Sequence, residues 1–143
     1  MPNFAASFVV RDRIRWSDCD PLGIVYYGAY LRFFEIAEFE MFRSVGLPYD
    51  LLRVEHGVWL PRKALHAEFH RPAAMDEEID IAVRVEEIGV ASITLQFEVT
   101  RASDGAARAS ATLTIVSVDK ETMEKRPVPG WVREKLTPSA PRP

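Results

Sequence analysis

The segment from Tyr27 to Val45 is apolar on more faces than a helix lying on a protein surface can hide. Tyr30, Phe33, Phe34, Ala37, Met41 and Val45 recur at three- and four-residue spacing, the period of an α-helix. Leu31, Ile36, Phe39 and Phe42 fall outside that stripe. Gly46 is a natural C-terminal stop, with Pro48 beyond it. Such a helix has to be wrapped by other elements rather than laid on one face.

The remainder of the chain supplies the wrapping. Leu65, Ala67 and Phe69 alternate with His66, Glu68 and His70. Ile79, Ile81, Val83 and Val85 alternate with Asp80, Arg84 and Glu86, Ile93, Leu95, Phe97 and Val99 with Thr94, Gln96, Glu98 and Thr100, and then Ala111, Leu113 and Ile115 with threonines. Gly89 and Ser103-Asp104-Gly105 make the links short, so these runs read as antiparallel hairpins with one face turned to an apolar partner. An earlier strand runs from Val9 to Trp16, with Val10, Ile14 and Trp16 on its apolar side and Asp12 interrupting them. Leu47 to Gly57 reads as loop, and Trp131 to Leu136 as one or two helical turns. The fold class is therefore α+β: one long apolar helix against a curved antiparallel sheet of about five strands. Residues 1–136 form one domain, because a chain of 143 residues leaves no room for a second core. The Pro-rich tail 137–143 reads as disordered.

A net charge of −3 gives no basic excess to hold nucleic acid or an anionic membrane. The apolar run near the N-terminus is cut by Arg11, too early for a signal peptide or membrane span, so cytoplasm is the default location. Cys19 is the one cysteine, which excludes an internal disulfide and a cysteine-based zinc site.

The stretch entering the helix carries the chemistry. Ser17-Asp18-Cys19-Asp20-Pro21-Leu22-Gly23 is turn-forming, and Ile24-Val25-Tyr26-Tyr27-Gly28-Ala29-Tyr30-Leu31 leads from it into the apolar helix. Two carboxylates next to a helix N-terminus allow two readings. They can cap the helix and stabilise the turn, the commonest work of such aspartates. Alternatively, the free amides of the first turn suit a developing oxyanion, and a carboxylate opposite them can attack a carbonyl or activate water. Gly23 and Gly28 would let backbone and ligand approach closely.

The run Asp18-Cys19-Asp20-Pro21, then Gly23-Ile24-Val25-Tyr26-Tyr27, Tyr30 and the helix opening Leu31-Arg32-Phe33-Phe34-Glu35 resembles the 4-hydroxybenzoyl-CoA thioesterase family of hot-dog proteins. That resemblance implies an acyl-CoA thioesterase of the hot-dog fold, with Asp20 as the catalytic carboxylate and Asp18 and Gly23 in support. It implies that the Tyr27 backbone amide, with Gly28, polarises the thioester carbonyl, while Tyr30 and Glu35 approach the acyl group. Tyr27, where the branch associated with the Tol–Pal envelope system usually has histidine, points toward an aromatic acyl group. The resemblance also implies a homodimer or homotetramer with sites at the dimer interface, no metal or redox cofactor, and coenzyme A only as part of the substrate. The alternatives are an aliphatic acyl-CoA or acyl-carrier-protein thioesterase and a non-catalytic acyl-CoA-binding protein.

Other residues carry plainer explanations. His56, His66 and His70 invite a metal, but outward-facing positions on a strand explain the latter two, and no third ligand accompanies them. Cys19 sits between two aspartates that would raise its pKa, and reads as a small buried filler rather than a nucleophile. Arg62, Lys63, Arg71, Arg101 and Arg108 are the cations available for the coenzyme's phosphates. The relative's basic cluster near its middle turn has no counterpart here, where Glu86-Glu87-Ile88-Gly89 stands.

Overall fold

The computed structural model describes residues 7–137. The tail expected over 137–143 lies, apart from Thr137, outside the described residues. Strand β1 (Phe8–Arg13) is followed by a 3₁₀ turn (Trp16–Asp18) and helix α1 (Ala29–Ser44). Strands β2 (Arg62–Phe69), β3 (Glu78–Ile88), β4 (Ser92–Arg101) and β5 (Ala107–Val116) and a short helix α2 (Gly130–Leu136) complete the chain. The five strands form one antiparallel sheet in the order β1-β3-β4-β5-β2.

The alternation in β3, β4 and β5 decides which face meets the helix. Ile79, Ile81 and Val83, then Ile93, Leu95, Phe97 and Val99, are fully buried. The register sets Val83 opposite Phe97 and Phe97 opposite Ala111, which in turn faces Ala67. Two alanines beside one phenylalanine leave a hollow in the sheet, and Phe34 of α1 fills it with ring centroids 5.0 Å apart. Phe33, Ala37 and Phe42 of α1 have no exposed surface. Gly46, with φ of +80°, ends the helix: its amide bonds Arg43 O and the next amide bonds Phe42 O, satisfying carbonyls a straight helix would leave open. Helix α2 closes the sheet's far end through Val132 and Leu136, while Arg133 donates to the carbonyls of Ile88 (3.2 Å) and Gly89 (2.7 Å). Among the described residues no helix is long and apolar enough to cross a membrane.

Three expectations need correction. Trp16 does not continue β1; the chain turns after Arg13, Ile14 alone enters the core, and Trp16 stands 83% exposed. The segment 47–57 is not plain loop, because Leu51–Glu55 forms a wide helical turn that buries Leu52. On α1, Leu31 and Phe39 remain exposed. Leu65 and Phe69, expected to point inward, are 45% and 52% exposed, because β2 is an edge strand pairing only with β5 within the chain.

Candidate active site

Asp18 to Tyr26 form a small hairpin. The Asp20 amide donates to Ile24 O (2.9 Å), the Tyr26 amide to Asp18 O (3.1 Å), and Cys19 bridges Val25. Gly23, at φ +79°, makes the tip, a conformation that costs other residues strain. The hairpin is fastened to the segment between β2 and β3, where the Val25 amide donates to Ala73 O at 2.8 Å. Asp18 is 2% exposed and fully engaged: one oxygen accepts the Arg15 amide (2.8 Å), the other the Arg32 guanidinium (2.6 Å). It ties the 3₁₀ turn to the first turn of α1. Asp20 is half-buried, and its Oδ1 accepts the Leu22 amide at 2.8 Å, leaving Oδ2 with no partner among the described residues.

Neither aspartate caps α1. Gly28 stands at the N-cap position with no side-chain hydrogen bond. The amides of Ala29, Tyr30 and Leu31 reach back to Tyr26 O, Tyr27 O and Gly28 O at 3.0, 3.3 and 3.2 Å. The amides of Tyr27 and Gly28 have no acceptor among the described residues, so they form an open donor pair at the positive end of the helix. A Cβ at Gly28 would lie 2.7 Å from the Tyr26 ring, so the ring packs directly over this backbone. Tyr27 and Tyr30 line a cavity of about 300 Å³ together with Ile24, Val25, Phe69 and Arg71. Tyr30 is 4% exposed, its ring packs 5.4 Å from that of Phe69, and burial pushes its phenol up to about 12.

Asp20 lines a different hollow, of about 430 Å³, with Trp16, Cys19, Pro21, Gly23 and Met75. Within one chain Asp20 and Tyr27 therefore line separate hollows rather than one cavity. Cys19 is half-buried rather than buried, and burial followed by the charges of Asp18 and Asp20 raises its thiol.

Glu35 is exposed and lines a third hollow, of about 290 Å³, with Leu31, Phe34, Glu38, Arg62 and Leu65. Glu38 went unnoticed in the sequence. It is 1% exposed, accepts the Tyr49 hydroxyl at 2.6 Å and pairs with Arg62. Burial pushes its carboxyl upward, and Arg62 and Tyr49 pull it partway back. The signal was available: Glu38 lies four residues after Phe34 and four before Phe42, inside the apolar face.

Three of the five cations considered for phosphate binding are committed elsewhere. Arg62 holds Glu38, Arg101 forks onto Asp104, and Arg108, 4% exposed, pairs with Glu77 at 2.6 Å. Lys63 and Arg71 have no acidic partner among the described residues. His66 faces Glu68 at 3.6 Å, His70 bonds the Ser110 hydroxyl at 2.9 Å, and His56 packs on the Trp131 ring. Among the described residues no three potential ligands come together as a metal site.

The thioesterase-like superfamily profile matches residues 14–136. A 4-hydroxybenzoyl-CoA thioesterase from Pseudomonas sp. (strain CBS-3) is 32% identical over 103 residues, 71% of this chain and 73% of that protein. The acyl-CoA thioester hydrolase YbgC of Escherichia coli O6:H1 is 26% identical over 117 residues, covering 82% of this chain and 86% of that protein. Among solved structures, an aspartate-to-asparagine variant of 4-hydroxybenzoyl-CoA thioesterase complexed with 4-hydroxybenzoyl-CoA aligns with a TM-score of 0.83 at 28% identity. That alignment covers 92% of this chain and 99% of the other.

Proposed function

The chain belongs to the thioesterase-like superfamily and has its hot-dog fold, and from that premise we propose that it hydrolyses an aromatic acyl-CoA with Asp20 as the reacting carboxylate. The observation that carries this reading is the open donor pair at Tyr27 and Gly28, at the uncapped N-terminus of a buried helix. Such amides stabilise the negative charge that develops on a thioester oxygen under attack. Asp20 acts either by direct attack, giving a mixed anhydride that water then opens, or by taking a proton from water as its oxygen bonds to the carbonyl carbon. In both routes the carbon–sulfur bond breaks, the sulfur leaves as the thiol of coenzyme A after gaining a proton, and the acid is released. No metal or redox cofactor enters the scheme.

Glu35 lies two turns along the helix from Tyr27, where it can accept a hydrogen bond from a ring substituent of the acyl group. Tyr30 offers an aromatic wall beside the open amides. The uncovered edge of β2 and the exposed Leu31, Leu65 and Phe69 support a homo-oligomer in which a second copy covers this face. In that assembly the carboxylate of one hollow and the amides of another can meet on one substrate.

The test is release of free coenzyme A from benzoyl-, 4-hydroxybenzoyl- and butyryl-CoA by the wild type and by Asp20→Asn. The variant is expected to lose roughly 10²–10⁴-fold in kcat. Aromatic substrates are expected to show the higher kcat/KM. Equal turnover by both proteins would overturn the role of Asp20, and binding without turnover would make the chain an acyl-CoA carrier.

A further inference from the structure

The cavity lined by Tyr27 and Tyr30 has a polarity. Its inner wall is Val25 and Tyr30, 7% and 4% exposed, while Tyr27, His70, Arg71 and Pro72 form its outer rim. A thioester whose oxygen meets the Tyr27 and Gly28 amides can send its acyl group along the helix face toward Leu31, Phe34 and Glu35. The other end of the substrate, a long arm ending in phosphates, does not fit in about 300 Å³ and has to leave over the exposed rim.

Arg71 is the cation at that rim. Arg62, Arg101 and Arg108 are held by Glu38, Asp104 and Glu77, so their charge is largely cancelled before any ligand arrives. The Arg71 guanidinium has no partner among the described residues. The Arg71 backbone is firmly placed. The amides of His70 and Arg71 donate to Arg108 O at 2.8 and 3.4 Å, Pro72 fixes the next φ, and Ala73 O accepts Val25 N. A fixed base with a free planar fork suits bidentate phosphate binding. The chain as a whole is anionic, at −3, and so repels a polyanionic ligand unless a local cation meets it.

We propose that Arg71 grips the phosphate-bearing end of the coenzyme A thioester as it passes over the rim of the Tyr27 cavity, an assignment that rests on the thioesterase reading. Arg71 touches the substrate far from the reacting bond, so it contributes to binding and leaves the chemical step unchanged.

The experiment compares one acyl group carried on coenzyme A and on pantetheine, which lacks the phosphates, in the wild type, Arg71→Gln and Arg71→Lys. One lost charge-assisted contact predicts a rise of about ten-fold in KM for the coenzyme A thioester in Arg71→Gln. The value of kcat, and both constants for the pantetheine thioester, are expected to stay unchanged. Arg71→Lys is expected to recover part of the loss, since it keeps the charge without the fork. The same rise for both substrates, or for neither, overturns the assignment. Calorimetric titration of free coenzyme A into the Asp20→Asn protein, with and without Arg71→Gln, needs no turnover. About ten-fold weaker binding with Arg71→Gln supports the grip, and equal binding refutes it, even if the wild type hydrolyses no thioester and the enzymatic reading itself falls.

Discussion

Glu38 offers the sharpest test of how this core tolerates a charge. In Glu38→Leu the carboxylate that accepts from Tyr49 and Arg62 is replaced by a methyl-bearing side chain of similar reach. Each charge-assisted bond is worth about 1.5–3 kcal/mol, but the variant no longer has to strip water from a buried carboxylate, which costs several kcal/mol. The freed Arg62 is 42% exposed, so solvent takes up its guanidinium. What remains is the Tyr49 hydroxyl, left without its acceptor while its ring stays packed between Phe39 and Phe42. A stranded hydroxyl of this kind costs about 1–3 kcal/mol, so the net loss is expected near 2 kcal/mol. An unfolding entropy of about 2 cal/mol/K per residue gives, for 143 residues, roughly 0.3 kcal/mol/K, and hence a fall in Tm of about 7 °C. Adding Tyr49→Phe removes the stranded group and is expected to return most of the loss. The assay is thermal and urea unfolding of the wild type, both single variants and the double variant at one protein concentration, which keeps any self-association the same in all four. If Glu38→Leu is as stable as the wild type, or Tyr49→Phe recovers nothing in its background, the account of this cluster is wrong.

The same residue sets a pH dependence. Its folded pKa is raised by burial, so the native state binds more protons than the unfolded chain just above the ordinary carboxylate range. Stability from this group therefore falls as pH rises through that window, and the difference in urea midpoint between wild type and Glu38→Leu should narrow toward higher pH. The Cys19 thiol, raised by burial and by Asp18 and Asp20, is expected to alkylate more slowly at pH 8 than a free cysteine, and faster in Asp20→Asn. Unchanged alkylation in that variant would remove Asp20 from the thiol's surroundings. Gly23→Ala forces a side chain to φ +79° in open space, so its cost is strain alone, about 1 kcal/mol. Calorimetry should read this as a fall in Tm of about 3 °C. Leu65→Asp places a charge on the uncovered strand and is expected to shift the protein to monomer in light scattering. An unchanged mass would exclude this face from the interface.

Legibility followed physical locality. β3, β4 and β5 could be read because alternation and burial coincide wherever a sheet has one wet face, as at Ile79-Ile81-Val83. Helix α1 could be read because its stripe and its glycine stop are both local. Leu65 and Phe69 could not be placed, since strand order decides that β2 lies on an edge, and order depends on pairings between distant parts of the chain. Trp16 kept the alternating pattern past the point where a 3₁₀ turn bends the backbone away. In the site, the sequence marked the Asp18–Tyr27 stretch but not the division of Asp20 and Tyr27 between hollows. Glu38 escaped because a lone charge among apolar residues means little until its partners, Tyr49 and Arg62, are brought from other segments.

The place of β2 in the sheet also sets an order of events in time. Its one in-chain neighbour is β5, whose Ile115 pairs with Arg62 and Ala109 with Phe69. A chain growing from its N-terminus therefore displays β2 complete while the strand that must hold it has yet to be made. On refolding, the β3–β4 and β4–β5 hairpins, joined by short turns, can close early, and β2 docks only after them. During that interval both edges of β2 are free to pair with any other extended chain. Arg62, Lys63, His66 and Glu68 then act as gatekeepers, keeping strangers off a strand that is waiting for its own sheet.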